Sequence, residues 1–296
     1  MKRKYLLFLG CTTPARGLNY EQSARIVAEK LGIEFIDESR FACCGFTVRP
    51  LNEQAAMAMA ARNLAIAEEK GLDICTLCTG CASFPAEVNR LMKTNQEQKN
   101  KINELLAEIG LHYNGSVKVS HITRILHEDI GCAEIKKHVV EPLTGVKIAA
   151  HYGCHMTKPS EAFSNYDSVE YPHVLDDLTS ATGAIPIEYQ TKKDCCGGNI
   201  YAINEDLAYT MANKKLSELT TIGADAITLA CTFCDIMYEH NQRKIAQKFD
   251  SQYNIPVLYL PQLLGLSFGI SPQDLGMQLN RVRTQPLLDK IKGVSK

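Results

Sequence analysis

The residues best suited to chemistry are the cysteines, of which this 296-residue chain has twelve. Ten of them form two copies of one pattern: a single cysteine, an adjacent pair separated from it by 31 or 40 residues, and a Cys-x-x-Cys motif separated from the pair by 33 or 34 residues. The copies consist of Cys11, Cys43, Cys44, Cys78 and Cys81, and of Cys154, Cys195, Cys196, Cys231 and Cys234. One Cys-x-x-Cys motif is a weak signal, but a repeated five-cysteine pattern predicts two similar metal or cluster sites.

The number of thiolates bears on what these sites hold. Structural zinc takes four tetrahedral ligands, and an ordinary cubane cluster takes four thiolates, so five overfill both. Disulfides are typical of small secreted chains. These three alternatives stay open, but soft thiolates favour iron–sulfur chemistry. With four irons, five thiolates require one to bridge or one iron to bind two, which favours a cluster opened out from a cube.

Two cysteines fall outside the repeat. Cys75 corresponds to Thr228 in the second copy, and Cys132 has no counterpart. We expect both to be small core residues, the common fate of a free cysteine. A bacterial ferredoxin motif beginning at Cys75 would need its fourth cysteine where Pro85 stands, so that motif is broken.

The elements that must position these cysteines also repeat. Each half opens with a short apolar strand ending in Gly-Cys, continues with a long helix that stops near Gly71 or Gly223, and closes with two further strands and a helix. The helices are expected at residues 52–70 and 205–222, and the closing strand and helix at 117–126 and 256–264. Alternating strands and helices predict an α/β fold with a parallel sheet in each half, two similar Rossmann-like domains related by an internal repeat. A turn at Pro142 and Gly145 divides them into residues 1–143 and 144–296.

The strand ends should bring the thiols together. Sites in parallel sheets form at the carboxyl ends of strands, where both Gly-Cys pairs and both Cys-x-x-Cys motifs are expected. Adjacent cysteines cannot both face inward from a regular strand. We therefore expect bent loops, which Gly45 and Gly197-Gly198 permit.

Charge and apolar patterning argue against several classes of protein. A net charge of −1 argues against a general nucleic-acid binder. No apolar run reaches the roughly 18 residues of a membrane span. The apolar run before Cys11 is shorter than the roughly 7–15 residues of a signal peptide and is interpreted as a buried first strand, so a cytoplasmic location is expected. The polar stretch 93–108 is expected to be a solvated helix.

The doubled Cys-Cys-Gly motif, at Cys43 and Cys195, carries a family resemblance that covers essentially the whole chain. The chain resembles the disulfide-cleaving, B-type subunit of the cytosolic heterodisulfide reductases of methanogens and, more broadly, the CCG-domain family. The resemblance implies two non-cubane [4Fe-4S] clusters, one held by the five cysteines of each half. It also implies reduction of the coenzyme M–coenzyme B mixed disulfide to its two thiols. The substrate would lie between the clusters, each released sulfur being captured by an iron.

The same resemblance implies partners. Electrons would come from a flavoprotein subunit, which bifurcates electrons, through a small ferredoxin-like subunit, with an associated hydrogenase or formate dehydrogenase. This chain lacks a Gly-x-Gly-x-x-Gly motif, so no flavin or nicotinamide is expected in it. The alternative is an electron-transfer subunit of another anaerobic enzyme, of the thiol-dependent fumarate reductase, glycerol-3-phosphate or lactate type.

Other side chains near the cysteines could assist. His151 and His155 flank Cys154, and His155 is the stronger candidate for a proton donor, although either could simply orient the loop. The implied substrate is anionic, so its cleft should present basic side chains. Five basic residues near the cysteine loops are candidates, each of which could equally be a plain surface charge: Arg16, Arg49, Lys158, Lys192 and Lys193.

Overall fold

The computed structural model describes residues 3–294, which contain two four-stranded, fully parallel sheets. The strands are β1 (Arg3–Phe8), β2 (Ile33–Asp37), β3 (Ile74–Thr76), β4 (Val119–His121), β5 (Lys147–Ala150), β6 (Ile185–Pro186), β7 (Ala226–Leu229) and β8 (Val257–Tyr259). The strand order is β2-β1-β3-β4 in the first sheet and β6-β5-β7-β8 in the second. The identical orders confirm the predicted α/β fold and its internal repeat.

Helices connect the strands. In the first half they are α1 (Thr12–Arg16), α2 (Leu18–Lys30), α3 (Glu53–Lys70), α4 (Thr79–Thr94), α5 (Gln96–Ala107), α6 (Ile122–Arg124) and α7 (Cys132–Lys137). In the second they are α8 (Cys154–Thr157), α9 (Val174–Ala181), α10 (Glu205–Thr221), α11 (Thr232–Asp235), α12 (Gln242–Lys248), α13 (Leu260–Ser267) and α14 (Gln285–Val294). Short π-helical segments, Ile125–Ile130 and Ile236–His240, follow α6 and α11. No helix within residues 3–294 is long and apolar enough to cross a membrane.

The long helices α3 and α10 begin and end where the sequence indicates. Asn52 caps α3 by accepting a hydrogen bond from the Ala55 N–H at 2.9 Å, and Asn204 caps α10 through the Leu207 N–H at 3.0 Å. Gly71 ends α3 with a φ of 64°, in the left-handed region that glycine adopts readily. The predicted helices are therefore confirmed.

The core explains two further features of the chain. Leu6, Leu7 and Phe8 are buried in β1, which lies between β2 and β3, so the predicted first strand is confirmed. The polar stretch 93–108 is helical but breaks at Asn95, and α5 buries Ile102 against the core. It is therefore an amphipathic surface helix rather than a fully solvated one.

The two halves pack against each other through equivalent elements. Helix α2 packs on α13, and its counterpart α9 contacts α6. In the first of these contacts the rings of Tyr20 and Tyr259 stack with centroids 4.0 Å apart. The Tyr20 hydroxyl also lies 3.5 Å from Nε2 of the buried His121. These contacts join the two halves through buried side chains.

Candidate iron–sulfur site

Both sites lie where the strand order reverses, which is where open parallel sheets bind ligands. In the first sheet this point lies between β1 and β3, whose carboxyl ends lead directly to Cys11 and Cys78. In the second it lies between β5 and β7, which lead to Cys154 and Cys231. The sheet topology thus brings the first cysteine of each copy beside its Cys-x-x-Cys motif.

The adjacent cysteine pairs reach the same points because a glycine follows each pair. Gly45 has a φ of 87°, and a Cβ there would lie 2.4 Å from the carbonyl oxygen of Ala56 in α3. Gly197 has a φ of 82°, and its Cβ would lie 2.9 Å from Cα of Ala208 in α10. Both the backbone conformation and the close helix contact therefore require glycine, as the sequence predicted for these bent loops.

The first site is a pocket lined by all five cysteines of the first copy. The Cys81 thiol donates a hydrogen bond to the Cys44 sulfur over 3.5 Å. Hydrogen bonds from Cys43 and Cys81 lower the pKa of Cys44 to about 4. Contacts with Cys231 and Cys81 hold the pKa of Cys78 well below its usual range. These interactions favour the thiolate, the form that binds metal, at Cys44 and Cys78.

The second site is a pocket lined by all five cysteines of the second copy. Hydrogen bonds from Cys154 and Cys196 lower the pKa of Cys195 to about 2. Cys196 and Cys234 are buried, and the Gly198 N–H donates to the Cys196 sulfur at 3.3 Å. The structure thus brings the ten cysteines of the repeat together in two sets of five.

The spread of the sulfurs bears on what could bind. In a four-thiolate zinc site, bonds of about 2.3 Å place all the sulfurs roughly 4 Å from one another. Within residues 3–294, no three cysteine sulfurs of the first half lie within 4.8 Å of one another. In the second half one buried set does: a ring nitrogen of His151 with the sulfurs of Cys196 and Cys234. The first set suits a cluster of several metal ions better than a single ion.

The two pockets share a wall made of Phe46, Gly80 and Phe233. Across it, the Cys78 thiol interacts with the Cys231 thiol of the other half, and this interaction lowers the pKa of Cys78. A Cβ on Gly80 would lie 3.6 Å from the Phe46 ring, and one on Gly198 would lie 3.2 Å from Cβ of Phe233. In the repeat, Phe46 corresponds to Gly198 and Gly80 to Phe233. Each half therefore has one phenylalanine and one glycine at these two positions, but the first half has the phenylalanine after its cysteine pair and the second has it within its Cys-x-x-Cys motif.

The two histidines occupy different environments. His151 is 1% exposed, and neither ring nitrogen has a hydrogen-bond partner among the described residues. Burial holds its pKa well below the usual range. His155 lines the second pocket with its ring edge-on to Phe46, centroids 4.6 Å apart, and burial lowers its pKa also. His155 is thus the one placed to meet a ligand in the pocket.

The remaining candidates lie outside the pockets. Cys75 is fully buried in β3, whereas Cys132 is half-buried at the start of α7. Arg49 pairs with Glu87 at 3.0 Å, and Lys192 pairs with Asp176 at 2.8 Å. Lys193 bonds the Glu170 carbonyl, whereas Arg16 and Lys158 are exposed and form no ion pair with the described residues. None of the five basic candidates lines either pocket.

Sequence reasoning missed the aromatic wall. Phe46 and Phe233 each fall inside a cysteine motif, one after Cys-Cys-Gly and the other within Cys-x-x-Cys. Aligning the two copies exposes their exchange with glycine. That departure from an otherwise repeated pattern is the signal that could have identified them.

Comparison with known proteins agrees with this geometry. The family model described as "Cysteine-rich domain" (CCG) matches residues 5–84 and 148–239, more than half of the chain. A solved structure of a hypothetical protein from Helicobacter pylori has the same fold, with a TM-score of 0.72 at 16% identity over 95% of this chain and 52% of that one. Fold and sites together define a tandem cysteine-rich CCG protein.

Relatives that match along nearly their whole length identify the branch of the CCG family to which the chain belongs. The B-type subunit of the ferredoxin/F(420)H(2)-dependent CoB-CoM heterodisulfide reductase of Methanosarcina acetivorans is 35% identical over 99% of this chain and 98% of its own length. An Archaeoglobus profundus protein named as similar to the same kind of subunit is 34% identical over 91% of this chain and 92% of its own. The membrane anchor subunit of the 8-methylmenaquinol:fumarate reductase of Wolinella succinogenes is 27% identical over 95% and 97%. The chain therefore belongs to the family of B-type heterodisulfide reductase subunits, which are iron–sulfur oxidoreductase subunits.

Proposed function

We propose that this chain binds two non-cubane [4Fe-4S] clusters and is the disulfide-cleaving subunit of a heterodisulfide reductase. The ligands would be Cys11, Cys43, Cys44, Cys78 and Cys81 for the first cluster, and Cys154, Cys195, Cys196, Cys231 and Cys234 for the second. The main support is that each pocket is lined by the five repeated cysteines of one half and that the pockets share a wall. The proposal includes two domains divided at residues 143 and 144.

Cleaving a disulfide to two thiols consumes two electrons and two protons. When bound, the clusters supply the electrons one at a time, each beside irons that can bind a thiolate sulfur. We place the S–S bond at the shared wall, because there one bond is within reach of both pockets. The substrate of the proposal is the coenzyme M–coenzyme B mixed disulfide that the names of the relatives specify.

The chain's own residues would prepare this reaction. Phe46 and Phe233 present apolar surface and exclude water, which strengthens electrostatic interactions inside the pockets. His155 would donate a ring N–H hydrogen bond to the sulfur released at the second site and pass it a proton, and the sulfur released at the first site would take its proton from solvent. Burial lowers the pKa of His155, which favours release of a proton that the ring has taken up.

Two exposed cations are suited to attract the anionic groups of the substrate. Arg16 ends α1, which begins directly after Cys11. Lys158 follows the last residue of α8, which begins at Cys154. Each cation thus lies about one helical turn from the first cysteine of its half. Because no ion pair in the described residues occupies either one, both remain available to a sulfonate, phosphate or carboxylate.

The proposal extends to the complex. Two electrons must reach the clusters from outside the chain. We assign their delivery to a ferredoxin-like subunit and a flavoprotein subunit, with a hydrogenase or formate dehydrogenase as the source. A cytoplasmic location belongs to the same proposal, because none of the twelve cysteines forms a disulfide, which is typical of proteins in a reducing compartment.

An alternative is a cluster-bearing electron-transfer subunit that performs no bond chemistry. The Wolinella relative, named as a membrane anchor subunit of a fumarate reductase, favours it. Both functions use the same thiol ligands, so cluster content alone does not separate them.

The experiment compares Cys44→Ser and Cys196→Ser, which damage one site each. Anaerobically purified protein should contain about eight irons and eight sulfides, and each variant about half. With reduced viologen as donor, wild-type protein should release thiols from the mixed disulfide, and both variants should lose nearly all of this activity. Cys75→Ala is the matched control and should keep both iron and activity. Substantial turnover by either site variant, with its cluster shown to be absent, contradicts cleavage between two clusters; no thiol release from fully loaded wild-type protein supports the electron-transfer alternative.

A further inference from the structure

The second half buries a cation that the proposed mechanism does not use. Lys215, in α10, is fully buried, and its ammonium group donates hydrogen bonds to the backbone carbonyls of Thr191 and Lys192. Its nitrogen lies 5.0 Å from the centroid of the Tyr189 ring. No carboxylate in residues 3–294 forms an ion pair with it. A buried ammonium that lacks a carboxylate partner is costly, so its charge calls for an explanation.

The repeat shows what the first half has at this position. Counted from the caps Asn52 and Asn204, Lys215 corresponds to Asn63 in α3. Asn63 is also buried, and its amide donates to the carbonyls of Ala42 and Cys43 at 3.3 and 3.2 Å. Both residues therefore hold the loop before a cysteine pair by donating to its carbonyls. A neutral amide suffices for this role, so loop support alone does not explain the charge of Lys215.

The charge acts on the second site. The Lys215 ammonium interacts electrostatically with Asp194, Cys234, Cys196 and Glu218. The two carboxylates are partly exposed, and Asp194 pairs with Lys214, so solvent screens them more than it screens the two buried sulfurs. The field of the ammonium also acts on His151, which lies within 4.8 Å of the same two sulfurs. In the first half, the guanidinium of Arg62 lies 3.5 Å from Oδ1 of Asn63 but is half-exposed, so solvent screens its charge. The two sites therefore share a ligand pattern but differ in buried charge.

We propose that Lys215 makes the cluster of the second site the easier of the two to reduce. This inference rests on the proposed function, because it requires a cluster at each site. Adding an electron adds negative charge, which a fixed buried cation stabilises and a neutral amide at Asn63 does not. When two electrons enter the two clusters one after the other, the first would then reside on the cluster of the second site. Lys215 would not touch the cluster or the substrate, and it would act on the cluster only through the electric field of its charge.

The test is an anaerobic redox titration of the cluster-loaded protein followed by electron paramagnetic resonance. The signal of each cluster is assigned with Cys44→Ser and Cys196→Ser. Lys215→Met removes the charge at similar length, and Lys215→Gln removes it but keeps an amide that can donate to the two carbonyls. Lys215→Arg keeps the charge and is the matched control.

Both neutral variants should keep full iron content and make reduction of the second cluster at least tenfold less favourable, 59 mV for one electron. The first cluster should be unchanged, and Lys215→Arg should leave both potentials close to wild type. An unchanged potential in loaded Lys215→Gln would overturn the inference while leaving the proposed function intact. Loss of the second cluster from both neutral variants would overturn it too, because Lys215 would then serve only the loop. Absence of iron from wild-type protein would instead contradict the proposed function.

Discussion

Replacing Gly45 with alanine should remove the first cluster, because this glycine sets the path of the cysteine pair. An alanine at a φ of 87° incurs a backbone cost of about 1–2 kcal/mol. Its Cβ would also lie 2.4 Å from the Ala56 carbonyl oxygen, against an ordinary contact of 3.4 Å or more, so the loop or α3 must shift by about 1 Å. Overpacking of this kind costs a further ~1–3 kcal/mol.

Gly32 is the matched control. Its φ is 73°, but an added Cβ would have nothing within 4 Å, so Gly32→Ala incurs only the backbone cost. We expect Gly45→Ala to lower stability by about 2–5 kcal/mol and Gly32→Ala by about 1–2 kcal/mol. The shift in Gly45→Ala displaces Cys43 and Cys44 from the thiols that follow β3.

Iron analysis and thermal unfolding under anaerobic conditions distinguish the two variants. Gly45→Ala should keep about half of the wild-type iron, with the second cluster intact, since each half supplies its own ligands. Gly32→Ala should keep all of it and lose only a few degrees of melting temperature. Full iron content in Gly45→Ala, or equal iron loss in both variants, would show that the helix contact does not position the cysteine pair.

Three further predictions concern residues around the sites. Cys75→Ala should keep both clusters by iron analysis and cost about 1 kcal/mol in denaturant unfolding, an ordinary small core change. Burial raises the pKa of Glu239 to about 8 from 4.5, so stability from its protonated form is present below pH 4.5 and is lost as pH rises towards 8. Glu239→Gln keeps an oxygen that can accept from the Val282 N–H, a bond of 3.0 Å in this structure. The stability of this variant relative to wild type should therefore grow by about 1.4 kcal/mol for each pH unit in this window. Thermal unfolding of both proteins at pH 6 and 8 checks this, and a stability difference that is the same at both pH values contradicts it. Arg49→Ala, which removes the half-exposed pair with Glu87, should lower stability in denaturant unfolding by no more than about 1 kcal/mol and leave the iron content unchanged.

Local sequence signals predicted the parts of the fold that repeat. The helical patterns and the glycines after them indicated α3 and α10, and the Gly-Cys and Cys-x-x-Cys motifs marked the strand ends at which the thiols meet. The second strand of each sheet was not predicted. In the second half it consists of only Ile185–Pro186, too short to show a periodic pattern.

Features that depend on packing between elements could not be predicted from the sequence. The contact between Cys78 and Cys231 joins residues 153 positions apart in the sequence, and no local motif marks it. The basic residues near the cysteine loops illustrate the same limit. Arg49 is adjacent to a cysteine loop in the sequence but pairs with Glu87 in α4, outside the pocket, because neighbouring carboxylates compete for its charge.

The differences between the halves suit the proposed substrate. A repeat that kept every side chain would offer two identical sites, which would suit a disulfide with two identical ends. In this chain the ligand pattern is the same in both halves, but two positions beside it differ: Phe46 and Gly80 of the first half correspond to Gly198 and Phe233 of the second. Both rings line both pockets, but the ring that a half supplies follows its cysteine pair in the first half and lies within its Cys-x-x-Cys motif in the second, so two unlike substituents would meet differently shaped surfaces. Together with the unequal buried charge, this would give each end of a mixed disulfide its own site and the two electrons a defined order.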